Sequence, residues 1–130
     1  MMKAVMDTNV IVSALLVPSG ISGGILFSFL NRKFTLVYDN RILAEYIEVC
    51  KEGRLKINQE LIGPIIDFIK KEAFFCPSTS VAKPFVDEGN KKFYEVFISS
   101  GADYLITGNL KHFPKDNRIV SPREFLGVLY

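Results

Sequence analysis

The chain opens on a short apolar run, Lys3 to Met6, that stops at an acid, Asp7. A run of this kind, bounded by a polar residue, predicts a buried strand. Apolar residues then recur at helical spacing from Asn9 to Leu16, with Asp7, Thr8 or Asn9 available as the cap. Pro18, Ser19 and Gly20 break that helix. The next apolar stretch, Ile21 to about Arg32, predicts a second helix despite Gly23 and Gly24. Phe34 to Tyr38 is rich in β-formers and predicts a second strand.

Helical spacing returns at Ile42, Leu43, Tyr46, Ile47 and Cys50, which predicts a helix over 41–51. Asp39 or Asn40 can cap it, and Gly53 can end it. Asn58 to Glu72 is helical again, but Pro64 inside it predicts a kink, or two helices meeting at Gly63 and Pro64. Phe74 to Cys76 suggests a third short strand, and Ser78 to Pro84 a polar loop. A helix over 90–99, a strand over 104–107, a turn at Gly108 and a strand over 118–120 follow. Pro122 starts a last helix at a position where proline is welcome.

This alternation predicts an α/β fold of three layers, α/β/α, around a mostly parallel central sheet of four to five strands. Nothing in the sequence resembles a linker, so residues 1–130 are expected to form a single domain. In such sheets a site lies beyond the carboxyl ends of the strands. Asp7, Asp39 and Asn109 all hold that kind of position.

Composition changes the picture little. The 130 residues suit one domain whose core needs no staples. A hydrophobic share of 48% against 23% charged residues excludes a disordered chain. The net charge of +2 is too weak to indicate nucleic-acid binding, but it excludes a strongly acidic surface that would repel phosphate. Cys50 and Cys76 form neither a CxxC motif nor a metal spacing, and are expected to be free thiols in a reducing cytoplasm. No signal peptide is visible and no apolar run reaches the length of a membrane span, so no membrane partner is expected.

Chemistry gathers at few positions. Asp7 can be a metal ligand, a nucleophile or a plain helix cap, and position alone divides these evenly. Glu45 sits at the shoulder of an apolar helical stripe, beside Ile42 and Val49, where it can reach a cleft or simply face solvent. Asn90 shares a helix face with Phe93 and Phe97, so its amide needs a partner. Asp87 and Glu88, just upstream, suit the helix dipole. Asn109 follows Gly108 and is either a turn residue or a polar group facing the crevice of Asp7. His112, the only histidine, excludes histidine metal triads and is expected on a surface turn. Lys91, Lys92, Lys111, Lys115 and Arg118 can form a phosphate-binding rim, or a solvated surface.

Taken together, these segments resemble the PIN domain family. The resemblance is carried by Val5-Met6-Asp7-Thr8-Asn9-Val10, by Ile42-Leu43-Ala44-Glu45-Tyr46 and by 87–97. It continues through Gly101 to Asn109 and through Ser121-Pro122-Arg123-Glu124-Phe125-Leu126. The branch it is most similar to comprises toxin components of toxin–antitoxin systems. The resemblance implies a metal-dependent ribonuclease using Mg²⁺ or Mn²⁺, with RNA as substrate, an antitoxin protein as partner and a possible homodimer. It makes Asp7 the first acid and Glu45 the second, and it puts Asn90 and Asn109 where the family has its third and fourth. Asp87 is an added candidate ligand if its loop folds back. Thr8, Asn9, Thr107 and Lys111 are the expected nucleic-acid contacts. The helices at Ile21 to Phe29 and Ile65 to Ile69 either line a groove for an antitoxin segment or belong to the core.

Two amides in place of two acids imply one weakly held ion rather than two. They also favour an alternative, a PIN-like module that binds nucleic acid or protein without turnover. A phosphatase of the haloacid dehalogenase type fits poorly, because Asn9 stands where its general acid would be. A phosphoacceptor receiver fits worse, because it needs paired acids after the first strand.

Overall fold

The computed structural model describes residues 1–77 and 88–130. The loop expected at Ser78 to Pro84 and the candidate ligand Asp87 lie outside the described residues. The first strand, β1 (Lys3–Met6), becomes the centre of the sheet because Ala4, Val5 and Met6 are wholly apolar and wholly buried. A strand buried on both faces needs helices on both, which is the condition for a parallel sheet. It pairs with β2 (Thr35–Tyr38) on one side and β4 (Tyr104–Ile106) on the other. β3 (Phe74–Phe75) and β5 (Ile119–Val120) close the two edges. The order is β3-β2-β1-β4-β5 and every pairing is parallel. The sheet is therefore at the upper size expected and entirely parallel.

Register positions the site. Val5 lies opposite both Val37 and Leu105, and Met6 lies opposite Ile106. Asp7, Asp39 and Thr107 therefore leave the sheet at one and the same edge.

The helices are α1 (Thr8–Leu16), α2 (Ile21–Leu30), α3 (Asn40–Cys50), α4 (Gln59–Glu72), α5 (Glu88–Ser100) and α6 (Pro122–Leu129). Single 3₁₀ turns occupy Gly53–Leu55 and Leu110–His112. α5 lies across β1, β2 and β4, while α2 packs between α1 and α6. Tyr46 ties α3 to the central strand, donating its buried hydroxyl to the Met6 carbonyl. Phe125 of α6 sets its ring edge-on to Phe34 at 5.0 Å and to Tyr104 at 5.7 Å. Its helix is held at its start by a capping box of Ser121 and Glu124, with proline in the first turn as expected.

Two expectations are corrected. The two helices expected to meet at Gly63 and Pro64 are one, α4, which runs through Pro64. Gly63 and Pro64 both face solvent, so water can satisfy the carbonyl that the missing N–H leaves free. Gly53 does not end α3; Lys51 does, and Gly53 opens the 3₁₀ turn that follows. The apolar residues once open to a groove reading are mostly core: Ile25, Leu26, Phe29, Ile66 and Ile69 are buried. Among the described residues no single helix is long and apolar enough to cross a membrane.

Candidate active site

β1 ends and α1 begins at the same residue, which puts two demands on Asp7. Its N–H continues the ladder to the Ile106 carbonyl at 2.9 Å. Its carboxylate caps α1 through a long contact from the Asn9 N–H, 3.4 Å, and accepts the Thr107 hydroxyl at 2.8 Å. Asp7 is thus a helix cap and a strand-end acid at once. It is only 3% exposed. Burial pushes its pKa above the ordinary carboxylate value, and the charge of Glu45 pushes the same way. The hydrogen bonds from Thr107 and Asn9 offset part of that rise.

Glu45 reaches the same edge from α3. Thr8, the residue after Asp7, donates its hydroxyl to one Glu45 oxygen. Lys92 of α5 sets its ammonium 2.7 Å from the other. Lys92 also donates to the Gly89 carbonyl at the start of its own helix. Two residues back, the Asn90 amide lies 3.3 Å from Nδ1 of His112. His112 sits in the 3₁₀ turn that Asn109 caps, and the Asn109 N–H donates to the Thr107 hydroxyl at 3.0 Å. These contacts, joined through the first turn of α5 between Asn90 and Lys92 and through the Asp7–Thr8 peptide, form a ring from Asp7 through Thr107, Asn109, His112, Asn90, Lys92 and Glu45 back to Thr8. All four positions singled out from the sequence, Asp7, Glu45, Asn90 and Asn109, are members of it.

The ring includes residues the sequence did not mark for these roles. His112 is a partner of Asn90 rather than a free surface residue. Lys92 is an acid's counter-ion rather than one rim lysine among several. Thr8 and Thr107 are buried, and their hydroxyls hold Glu45 and Asp7. Asn9 and Lys111 are exposed. Lys111 and Lys115 line a cleft of ≈ 350 Å³ together with Asp116, Leu110, Phe113 and Ile119. Arg118 is a correction to the rim. It precedes β5, at the opposite edge of the sheet, where it grips Asp116 at 2.7 Å and lies 4.7 Å over the Phe97 ring.

Asp39, the third acid at this edge, is turned to other work. It caps α3 through the Ile42 N–H at 3.0 Å and pairs with Arg41 at 2.8 Å. Arg41 also grips Glu95 of α5 at 2.7 Å. Glu95 is 3% exposed, an acid set among Phe93, Tyr94, Val96 and Phe97 on the buried side of α5. The only sequence signal for this clasp was a charge inside an apolar stretch.

Among the described residues no three His, Cys, Asp or Glu side chains are grouped so as to hold a metal ion. The donor set fits one hydrated hard cation, for which one or two carboxylates plus water suffice. Asp7 and Glu45 supply two carboxylates, and Asn90 and Asn109 add no charge.

The geometry has a counterpart among known families. A family model described as PIN domain matches residues 3–111. The chain belongs to the PIN domain family. The match runs from β1 into the 3₁₀ turn after Asn109 and stops before His112, β5 and α6, so the likeness of Ser121 to Leu126 to the family's tail lies beyond it. No curated protein and no solved structure matches the chain. PIN domains are generally nucleases and typically use divalent metal ions. Membership therefore suggests a nuclease-type function with a nucleic-acid substrate.

Proposed function

We propose that this PIN domain is a metal-dependent ribonuclease that cleaves phosphodiester bonds in RNA at the carboxyl edge of its sheet. The observation that carries the reading is the pair of acids there, Asp7 and Glu45, each held by a threonine hydroxyl from the structural core. Asp7 and Glu45 would hold one Mg²⁺ or Mn²⁺ ion, with Asn90 and Asn109 as neutral neighbours. Such an ion supplies a polarised phosphate and an activated water. The chain's own residues do the remaining work. Thr107 and Thr8 fix the acids in one orientation, so little ordering is left for the moment of binding. Lys111 and Lys115 offer positive charge for the RNA backbone beside that edge.

The toxin role, an antitoxin protein as partner and a homodimer rest on the resemblance to the toxin branch of the family. A cytoplasmic location suits an RNA substrate and two free cysteines. The amides at Asn90 and Asn109 favour a second reading, a PIN module that binds without turnover.

The deciding experiment is cleavage of RNA in Mn²⁺ and in EDTA by the wild type and by Asp7→Ala. The ribonuclease reading expects Mn²⁺-dependent cleavage that falls by about 10²-fold or more in Asp7→Ala, since the variant loses the better-held ligand. Cleavage that is equal in the two proteins would refute it. Binding of RNA with no cleavage in Mn²⁺ or in EDTA would support the module instead.

A further inference from the structure

We propose that Lys92 is the resident cation of this site, and that a divalent ion has to displace its ammonium from Glu45 in order to bind. The proposal rests on the reading above that Asp7 and Glu45 form the metal site. Three observations on the chain's own residues carry it. First, the Lys92 ammonium lies 2.7 Å from one Glu45 oxygen, while the other oxygen accepts the Thr8 hydroxyl. Both oxygens of the second acid are therefore already engaged. Second, the pair is sheltered, with the Lys92 side chain 16% exposed and that of Glu45 30% exposed. A sheltered ion pair is screened by water much less than a surface one. Third, the ammonium is anchored on a second side by the Gly89 carbonyl, so it is held at the acid rather than passing by it.

The chemistry follows from charge. Glu45 stands close enough to Asp7 to add its charge to burial in raising the cost of ionising Asp7. An ammonium is a compact point charge with three donors on a flexible stem, well suited to balance one of these acids. It cannot share a carboxylate oxygen with a divalent ion without strong repulsion between the two cations. The four-carbon stem lets it leave without moving α5. Lys92 thus balances the charge of Glu45 while the edge is metal-free and raises the ion concentration needed to fill it.

The test is a Mn²⁺ titration followed by electron paramagnetic resonance, with the full-length chain and no RNA present. Lys92→Met and Lys92→Gln remove the charge, and Lys92→Arg keeps it. Lys91→Met removes a neighbouring charge from the same helix turn. Thermal melts in EDTA check that each variant folds. The expected result is Mn²⁺ binding about tenfold tighter in Lys92→Met and Lys92→Gln, the size of one lost charged hydrogen bond. Lys92→Arg should stay near wild type, and Lys91→Met should change affinity by less than about threefold. Neutral Lys92 variants that bind Mn²⁺ no tighter than wild type, while Asp7→Ala abolishes binding, overturn the displacement proposal and leave the metal site standing. Absence of Mn²⁺ binding in the wild type and in every Lys92 variant overturns both.

Discussion

At the scale of single residues, the candidate site is two acids held in place by two threonines. Thr107 follows directly on β4, and Thr8 opens α1 one residue beyond β1, so both hydroxyls sit close to the ends of central strands. Asp7 carries a cost for its position. Burial raises its pKa above the ordinary 3.8. A carboxylic acid with a raised folded-state pKa binds its proton more tightly folded than unfolded. Its contribution to stability is therefore fully present below 3.8 and is lost as pH rises through the folded value. At neutral pH the ionised Asp7 works against the fold. Asp7→Asn, which keeps one oxygen as the cap acceptor and can turn its amide N–H to the Thr107 hydroxyl oxygen, is expected to resist urea better than wild type at pH 7 in EDTA. The advantage should shrink as pH falls and vanish below 3.8. Urea midpoints of the two proteins across pH 3 to 8, a range of about five units spanning the ordinary and raised values, check this. Equal midpoints at pH 7 would show that burial of Asp7 is not felt as strain.

At the scale of elements, two joints position the site. The first is the turn from α1 to α2. A Cβ added at Gly23 would lie 2.0 Å from the Pro18 carbonyl oxygen, a backbone atom that cannot move aside cheaply. Gly23→Ala is expected to cost about 3 kcal/mol or more, the range for overpacking against fixed backbone. A urea melt with loss of less than about 1 kcal/mol would mean the turn relaxes freely. The second joint is the Arg41 clasp, which ties α3, the helix of Glu45, to α5, the helix of Lys92. Removing the cation takes the Arg41 charge away from two buried acids. Arg41→Met is expected to cost about 2 kcal/mol, below the usual figure for a fully buried pair because water screens the arginine. The arginine side chain is 46% exposed, which is the reason for that discount. Adding Glu95→Gln should recover part of the loss, and a double-mutant cycle in urea reads the recovery.

At the scale of the whole molecule, parallel pairing is what turns scattered residues into a site. Because β1, β2 and β4 run the same way in near-matched register, their ends converge on one edge. That edge carries fewer acids than its layout can accommodate, with amides at Asn90 and Asn109. Asn90→Asp combined with Asn109→Asp is expected to bind Mn²⁺ about tenfold or more tightly than wild type. The same variant should melt lower than wild type in EDTA, because the added acids repel Asp7 and Glu45, and Mn²⁺ should restore it. Calorimetric titration and thermal melts check both halves. A variant with unchanged affinity would show that these two positions do not face the ion.

Much of this was legible along the chain. The apolar run into Asp7, the helical spacing around Glu45 and the strand before Thr107 are local patterns, set by which residues must leave water. They determine the elements, their order and the edge on which Asp7 falls. The break expected at Pro64 is absent because its effect depends on which side of α4 faces solvent, and that is a property of packing. Lys92, His112 and Glu95 were invisible in their roles for the same reason. Lys92 and Glu45 are far apart in sequence, and one lysine among several has no mark until α5 lays it beside α3. The sequence by itself determined that an acid would end the first strand of a parallel α/β fold. Only the tertiary structure decided what answers that acid's charge, because a long-range ion pair is chosen by where helices dock and leaves no period in the chain.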